Sequence, residues 1–198
     1  DVWMPINDAN EIEPEDGRDI VTTLDLDLQD VAENALYTQL ERHGVDHGTM
    51  VLMEVRTGKV RASANLSRDE DGSYIEDYNY AIGESTEPGS TFKLASMIAL
   101  LEDGHVHPND IVDVGNGVKK YYGFRMEDSG EKGLGKITVQ RAFEVSSNVG
   151  ISTLVNDSYK NKPEQFVNRL YEMGLNQKLG IEIKGEGQPD IKYTDSEL

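Results

Sequence analysis

A serine and a lysine three residues apart are the first residues in this sequence whose types and spacing could do chemistry. Residues 90–93 read Ser-Thr-Phe-Lys, and positions i and i+3 of a helix share one face, with Cβ atoms about 5–6 Å apart. A serine hydroxyl is a weak nucleophile until a base removes its proton, and an apolar setting lowers the pKa of a lysine amine. Ser90 is therefore a candidate nucleophile and Lys93 a candidate base. The start of a helix there would also place N–H groups to stabilise an oxyanion.

The spacing alone has low specificity, because serine and lysine are common residues. Residues 129–132 (Ser-Gly-Glu-Lys) repeat it within a glycine-rich stretch that has no apolar helix behind it, and we discard that copy. The structural alternative for Ser90 is a plain helix N-cap. Spacing by itself favours this alternative.

Ser146 and Asn148 form a second candidate pair, between two predicted helices. A hydroxyl there could relay a proton, and an amide could hold a substrate carbonyl or the lysine. Residues 63–65 (Ser-Ala-Asn) have the same spacing at the end of a predicted strand. Taken alone, Ser146 is more simply interpreted as an ordinary helix cap.

The elements that must position these residues follow from hydrophobic periodicity and from capping residues. The pattern predicts helices over residues 26–42, 90–101, 139–145, 148–159 and 164–173, and strands over residues 19–23, 49–55, 59–64 and 180–184. The segment 90–101 is apolar nearly all round, which predicts a helix buried inside the domain. Residues 113–135 are glycine-rich and predict irregular loop or small strands.

Composition limits the classes of function. The 198 residues contain 37 Asp+Glu against 19 Lys+Arg, a formal net charge of −18, which argues against binding nucleic acid. There is no cysteine, so disulfides and thiolate metal sites are impossible. The four histidines lack a zinc-binding pattern, and we expect neither a metal nor a cofactor. No apolar run is long enough for a membrane span, so we expect these residues to be soluble.

Taken together, the motifs resemble one family. Residues 87–93 (Glu-Pro-Gly-Ser-Thr-Phe-Lys) are similar to the nucleophile motif of penicillin-binding proteins, whose superfamily carries a serine–lysine motif. Residues 146–150 (Ser-Ser-Asn-Val-Gly) are similar to the second motif of that family. Residues 16–25 resemble the first strand of its transpeptidase domain, and residues 48–58 its first hairpin. The Glu-Pro-Gly form resembles the monofunctional class B enzymes, and we favour the division type over the elongation type.

The resemblance implies a fold and a reaction. The expected fold is α/β (α+β), like that of serine β-lactamases and penicillin-binding transpeptidases, with a helical cluster and an incomplete antiparallel sheet. The implied enzyme is a peptidoglycan D,D-transpeptidase that cross-links stem peptides through a serine acyl-enzyme and is acylated by β-lactams. Its catalytic residues would be Ser90, Lys93, Ser146 and Asn148. Its further partners would be division or elongation proteins, and the whole protein would be anchored in the cytoplasmic membrane with this domain in the periplasm.

The main departure from the family is its third motif, Lys-Thr/Ser-Gly, which we do not find in these residues. We therefore expect a linker or lead-in segment over residues 1–17 and, over residues 18–198, the N-terminal portion of a transpeptidase domain, truncated before that motif. By themselves these residues should have little or no activity, because the family's third motif supplies one wall of the cleft. Two alternatives stay open: a serine β-lactamase or β-lactam sensor of the same fold, and a non-catalytic scaffold module.

Overall fold

The computed structural model describes residues 16–192, which divide into two compact units at residues 81 and 82. Residues 1–15 of the predicted lead-in segment, and residues 193–198, lie outside the described residues. The bounds in the first unit are α1 Leu26–His43, β1 His47–Met53, β2 Val60–Arg68 and β3 Tyr74–Ile75, and α2 (Tyr80–Gly83) crosses the boundary. In the second unit they are α3 Phe92–Glu102, β4 Ile111–Gly115, β5 Val118–Tyr121, β6 Phe124–Glu127, β7 Gly135–Thr138, α4 Val139–Glu144, α5 Asn148–Tyr159 and α6 Pro163–Glu172.

The first unit packs α1 against a three-stranded antiparallel sheet of order β1-β2-β3. The sequence offers Asp25 or Asp27 as the cap of α1 and Gly44 as its end. Asp25 is the cap, since its side chain accepts a hydrogen bond from the N–H of Leu28, and Gly44 ends the helix in the left-handed conformation. Gln29 fixes the helix on the sheet, because its side chain both donates to and accepts from the backbone of Ser63. The β1–β2 hairpin is confirmed, although β2 runs four residues beyond its predicted end.

The predicted strand over residues 19–23 is wrong, since none of these residues is in a strand. Thr23 does contact the start of β2, but through its side chain, whose hydroxyl donates to the carbonyl of Val60. The first backbone hydrogen bond comes two residues later, from Asp25 N–H to Arg61 O. One such bond does not make a ladder, so the segment stays irregular.

The second unit surrounds its core with helices and adds two small antiparallel sheets, β4–β7 and β5–β6. One part of the core joins α3 to α5, and another places β4 against α4 and α5. The buried hydrophobic side chains of these two clusters are Met97, Leu100, Val106, Val139, Ile151 and Tyr159, and then Val112, Val114, Ala142 and Val149. The predicted caps hold here too: Thr138 accepts from the N–H of Arg141, and Pro163 opens α6.

Helix α3 is less buried than its all-round apolar sequence predicts. Its Met97 and Leu100 face the core, but the side chains of Leu94, Ile98 and Leu101 are 57%, 39% and 42% exposed. The apolar pattern therefore predicts the helix correctly but overestimates how much of its surface is buried. The described elements pack on one side of α3 and leave the other side open.

The predicted strand over residues 180–184 is also wrong, because a side chain takes the place of a strand partner. The carboxylate of Glu186 accepts hydrogen bonds from the N–H groups of Leu179, Gly180 and Ile181. This folds the segment back on itself.

By contrast, residues 113–135 form small strands, the second of the two predicted alternatives. None of the helices between residues 16 and 192 is both long and apolar enough to cross a bilayer.

A polar network joins the C-terminal end of α3 to α5 and α6. Asp103 accepts hydrogen bonds from the hydroxyl of Tyr159 at 2.7 Å and from the guanidinium of Arg169. Partial burial raises the pKa of the Asp103 carboxyl, but the hydrogen bonds from Tyr159 and Arg169 and the charge of Arg169 outweigh it and hold that pKa below its ordinary value. The carboxylate therefore stabilises the fold most when it is ionised.

We expect Asp103→Asn to lower the free energy of unfolding of the second unit by about 1–2 kcal/mol at neutral pH, since a charge-assisted hydrogen-bond network is broken. The wild type should lose this advantage as the pH falls from the unfolded value of about 4 through the lowered folded pKa. An asparagine side chain does not titrate, so the variant should lose less on acidification. Chemical denaturation between pH 7 and pH 2 measures both effects. Glu172→Gln is the matched control: Glu172 also accepts from Arg169 but is 63% exposed, and its pair should be worth little.

We expect Gly150→Ala to destabilise the same unit by about 1–3 kcal/mol, although alanine is the better helix former. A Cβ at this position would lie 2.9 Å from the Cβ of Ala142 and 3.0 Å from the hydroxyl of Ser147, closer than packed atoms tolerate. Gly130→Ala is the control, because its Cβ would meet nothing nearer than 3.9 Å. Equal unfolding midpoints for the two variants would contradict the prediction.

Candidate active site

Ser90 lies in a single 3₁₀ turn, Gly89–Thr91, which leads directly into α3. Gly89 adopts a positive φ of 59°, which a side chain would disfavour. The turn places the exposed Ser90 hydroxyl beside the first turn of the helix. The N-cap residue of α3 is Thr91 rather than Ser90, and no side chain caps this end. The plain N-cap alternative for Ser90 therefore does not describe its position.

Lys93, one turn further along, brings three of the four candidate residues together. Its Nζ lies 3.2 Å from Ser90 Oγ, 2.9 Å from Ser146 Oγ and 2.5 Å from the carbonyl oxygen of Ser146. The i, i+3 contact expected from the sequence is thus present. So is a contact between Lys93 and Ser146, which are 53 positions apart in the chain. One amine nitrogen is within hydrogen-bond distance of three oxygens.

The environment of Lys93 shifts its titration. Burial, which is partial, lowers the pKa of the amine, and the negative charge of Asp128 opposes this effect without cancelling it. The amine therefore gives up its proton more easily than a free lysine does. This is the property that a general base beside a serine requires.

Ser146 owes its position to the way α4 ends. The N–H of Ser146 donates to Phe143 O at 3.0 Å, and the N–H of Ser147 donates to Ala142 O at 2.8 Å. These two bonds form a Schellman motif, whose left-handed position is usually glycine. Ser146 occupies that position with a φ of 53°. This backbone turn directs both its hydroxyl and its carbonyl oxygen at Lys93.

The next residue, Ser147, starts α5. Its hydroxyl accepts a hydrogen bond from the N–H of Gly150 at 2.8 Å and so caps the helix. The same hydroxyl donates to the carboxylate of Asp128, 3.1 Å from each of its oxygens. Ser146, which the sequence alone presents as an ordinary cap, is therefore not the cap. That role belongs to its neighbour.

Asn148 is not among the groups that contact Lys93. Its side-chain N–H donates to the carbonyl oxygen of Glu127 at 2.7 Å, at the end of β6. The amide is thus anchored beside the site. Within the described residues, Ser90, Lys93 and Ser146 form one cluster and Asn148 borders it.

The two other matches to these spacings, at residues 129–132 and 63–65, make structural contacts. Lys132 Nζ binds a carboxylate oxygen of Glu127 at 2.5 Å, and its partner in the spacing, Ser129, is exposed. Asn65 is buried in β2, where its Oδ1 accepts from Thr49 Oγ1 and from the N–H of Ala81. Both copies are therefore set aside on their contacts as well as on their sequence context.

Asp128 and Ser147 are the residues of this region that the sequence analysis missed. Asp128 follows β6, is 3% exposed, and also accepts from the N–H of Val149 at 2.9 Å. A short-range spacing signal for Asp128 does not exist, because its partners lie about 20 positions later. Ser147 did carry a signal: two predicted helices separated by two residues need a cap at the second of them.

Comparison with known proteins finds a family model and several relatives that match this chain. The family model of the penicillin-binding protein transpeptidase domain matches residues 48–196. Penicillin-binding protein PbpB of Mycobacterium tuberculosis is 28% identical over 176 residues, which are 86% of this chain and 25% of that protein. The probable peptidoglycan D,D-transpeptidase PbpC of Pseudomonas aeruginosa is 26% identical over 187 residues, 92% of this chain and 32% of that protein. The chain thus spans a quarter to a third of the length of these relatives.

The comparison of folds agrees with the sequence matches. The crystal structure of a peptidoglycan glycosyltransferase from Burkholderia ambifaria superposes with a TM-score of 0.75 at 26% identity, covering 90% of this chain and 52% of the other. The expected α/β (α+β) class of penicillin-binding transpeptidases is confirmed, and the antiparallel strands form small sheets. On the evidence of the family match and of the fold, the chain belongs to the penicillin-binding protein transpeptidase domain family.

Proposed function

We propose that these residues carry the nucleophile and the base of a peptidoglycan D,D-transpeptidase that works through a serine acyl-enzyme. The observation that carries the proposal is the set of three contacts at Lys93 Nζ. A neutral amine has two N–H donors and one lone pair. With the donors directed at the carbonyl and hydroxyl oxygens of Ser146, the lone pair is left for the proton of Ser90.

The reaction follows from this geometry. Lys93 accepts the Ser90 proton as Ser90 Oγ attacks the carbonyl carbon of the penultimate D-alanine of a stem peptide. N–H groups at the start of α3 stabilise the oxyanion that forms. The tetrahedral intermediate then collapses, the peptide C–N bond breaks, and the proton held by Lys93 passes to the departing amine of D-alanine, with the Ser146 hydroxyl as relay. An amine from a second stem peptide then attacks the ester carbonyl carbon and gives its proton to Lys93, directly or through Ser146. The bond from that carbon to Ser90 Oγ breaks, Ser90 Oγ takes the proton back, and the new amide bond is the cross-link.

Asn148 has a supporting role in this proposal. Its amide, fixed by the carbonyl of Glu127, borders the cleft and presents its remaining polar atoms to the substrate backbone. β-Lactams acylate Ser90 in the same way, because they present an amide carbonyl to the nucleophile.

The Glu-Pro-Gly sequence before Ser90 supports placing the whole protein in the monofunctional class B, with a role in division favoured over elongation. We propose that the whole protein is anchored in the cytoplasmic membrane, holds this domain in the periplasm and works with division or elongation partners.

The 198 residues alone lack a Lys-Thr/Ser-Gly motif, and we expect them to have little or no activity. In the family the strand of that motif also supplies a backbone N–H of the oxyanion hole, and loss of a single such donor can cost about 10²–10³ in rate.

The direct test is labelling of the whole protein with a fluorescent penicillin. Ser90→Ala should abolish the covalent label, because it removes the nucleophile. Ser129→Ala is the matched control, since it changes the serine of the other Ser-x-x-Lys sequence, and it should be labelled at the wild-type rate. Label retained in Ser90→Ala, or absent from the wild type, would contradict the proposal. Measuring hydrolysis of the penicillin in parallel separates a transpeptidase, which releases the product slowly, from a β-lactamase.

The pH dependence of acylation tests the role of Lys93. The base must be neutral to accept a proton, so the acylation rate constant should rise with pH through the pKa of Lys93. Since burial lowers that pKa, the midpoint should lie below the ordinary lysine value of about 10.4. Stopped-flow acylation from pH 5 to pH 10.5 measures it. A profile with no midpoint below the ordinary lysine value would contradict a Lys93 base with a lowered pKa.

The left-handed serine gives a test that separates stability from chemistry. Ser146→Gly and Ser146→Ala both remove the hydroxyl, so both should slow acylation. Only glycine is free of strain at a φ of 53°, so Ser146→Gly should be more stable than Ser146→Ala by about 1–2 kcal/mol. Thermal or chemical unfolding of the two variants, with acylation rates measured below both midpoints, checks the pair. Equal stability would show that the turn is not strained.

A further inference from the structure

Asp128 is a buried carboxylate for which the proposed reaction has no use. It is 3% exposed, and no lysine or arginine between residues 16 and 192 forms an ion pair with it. Its charge is met by hydrogen bonds alone: the Ser147 hydroxyl at 3.1 Å from both oxygens, and the N–H of Val149 at 2.9 Å. Such a site is costly to build, because burying a charge removes its hydration. The cost of burying this charge indicates that Asp128 has a role beyond packing.

The hydrogen bonds of Asp128 fix one side of the connection between α4 and α5, residues 145–147, which contains Ser146. They fix Ser147 and Val149, and the neighbouring carbonyl of Glu127 fixes Asn148 at 2.7 Å. Three consecutive residues are thus tied to the end of β6. Ser146, immediately before them, has a left-handed backbone that costs a non-glycine residue about 1–2 kcal/mol. A strained turn keeps its conformation only when the surrounding structure determines it.

We propose that Asp128 is a positioning residue for acylation: by holding Ser147 and Val149, it keeps the turn in which the hydroxyl and carbonyl oxygens of Ser146 face Lys93. This inference rests on the proposed function of Ser90 and Lys93. Asp128 itself contacts neither Lys93 nor the nucleophile. It acts through Ser147 and through its charge.

The charge of Asp128 provides a second and independent connection to Lys93. Burial lowers the pKa of the Lys93 amine, and the Asp128 carboxylate, on the β6 side of the cluster, opposes this. The neighbouring Glu127 is paired with both Lys132 and Arg125, so these three side chains add no further negative charge. The first turn of α5 contains no acidic residue. Removing the negative charge of Asp128 should therefore make Lys93 easier to deprotonate.

Three variants of the whole protein separate the two connections. Asp128→Asn removes the charge but keeps the shape and an acceptor for Val149. Ser147→Ala keeps the charge but removes the hydroxyl that links Asp128 to the turn. Asp128→Ala removes both. Asp113→Asn is the control, because Asp113 is an exposed carboxylate that likewise accepts a backbone N–H, that of Gly115 at 2.9 Å.

The readouts are the pH profile of acylation by a fluorescent penicillin and an NMR titration of Lys93 in protein labelled with [ε-¹³C]lysine, assigned with Lys93→Arg. Asp128→Asn should shift the midpoint of both to lower pH and leave the plateau rate within about 10-fold of wild type. Asp128→Ala should lower the plateau about 10²-fold, the scale expected for a displacement of about 1 Å at a reacting group. Ser147→Ala should lower the plateau by at least 10-fold. It should leave the midpoint in place, and Asp113→Asn should match the wild type in every respect.

A purely structural role for Asp128 predicts a different outcome. In that case all variants would lower the unfolding temperature, but below it they would be acylated at the wild-type rate with an unmoved midpoint, and the proposal would be overturned. If Asp128→Ala does not fold, Asp128→Asn and Ser147→Ala still decide. The NMR titration needs no acylation, so an unlabelled wild type would reject the proposed function while the shift of the Lys93 midpoint in Asp128→Asn still supports or rejects the role of Asp128.

Discussion

One amine nitrogen must lie within hydrogen-bond distance of three oxygens, and the packing of residues 82–192 meets this constraint. The oxygens come from the start of α3 and from the joint between α4 and α5. A fixed separation between the two requires α3 and α5 to be packed rigidly, and Met97, Leu100 and Ile151 do this in the shared core. In the proposed reaction the same nitrogen must also lose and regain a proton. Partial burial lowers its pKa and the charge of Asp128 opposes this, which suits both steps.

Local features of this arrangement could be predicted from the sequence, and the reason is geometric. Ser90 and Lys93 are one helical turn apart, so helix formation alone brings them together. The caps at Asp25 and Thr138, and the hairpin of β1 and β2, likewise depend on residues close in sequence. The approach of Ser146 to Lys93 was expected only from resemblance to a family, because no spacing rule connects positions 53 apart. Asp128 was missed for the same reason.

The errors also have a common physical cause. The segments 19–23 and 180–184 have strand-like composition, but a strand needs a partner with a free edge, and in each case a side chain meets backbone groups first. Helix α3 was expected to be buried because it is apolar nearly all round. The composition of a helix determines which of its side chains could be buried, but the elements that pack against it determine which ones are buried. A local side-chain contact overrode the pattern in residues 180–184, and contacts with distant parts of the chain, or their absence, did so in the other two segments.

The network of Asp103, Tyr159 and Arg169 has a consequence at the opposite end of α3. An 11-residue helix is about 16 Å long, so it acts as a lever between this network and Ser90. A tilt of roughly 4° at the far end would move Ser90 and Lys93 together by about 1 Å relative to Ser146, which is enough to disturb the contacts between Lys93 and Ser146. The position of the candidate site therefore depends on an anchor at the opposite end of the helix. Substitutions that loosen this anchor would act on the proposed reaction from a distance of three helical turns.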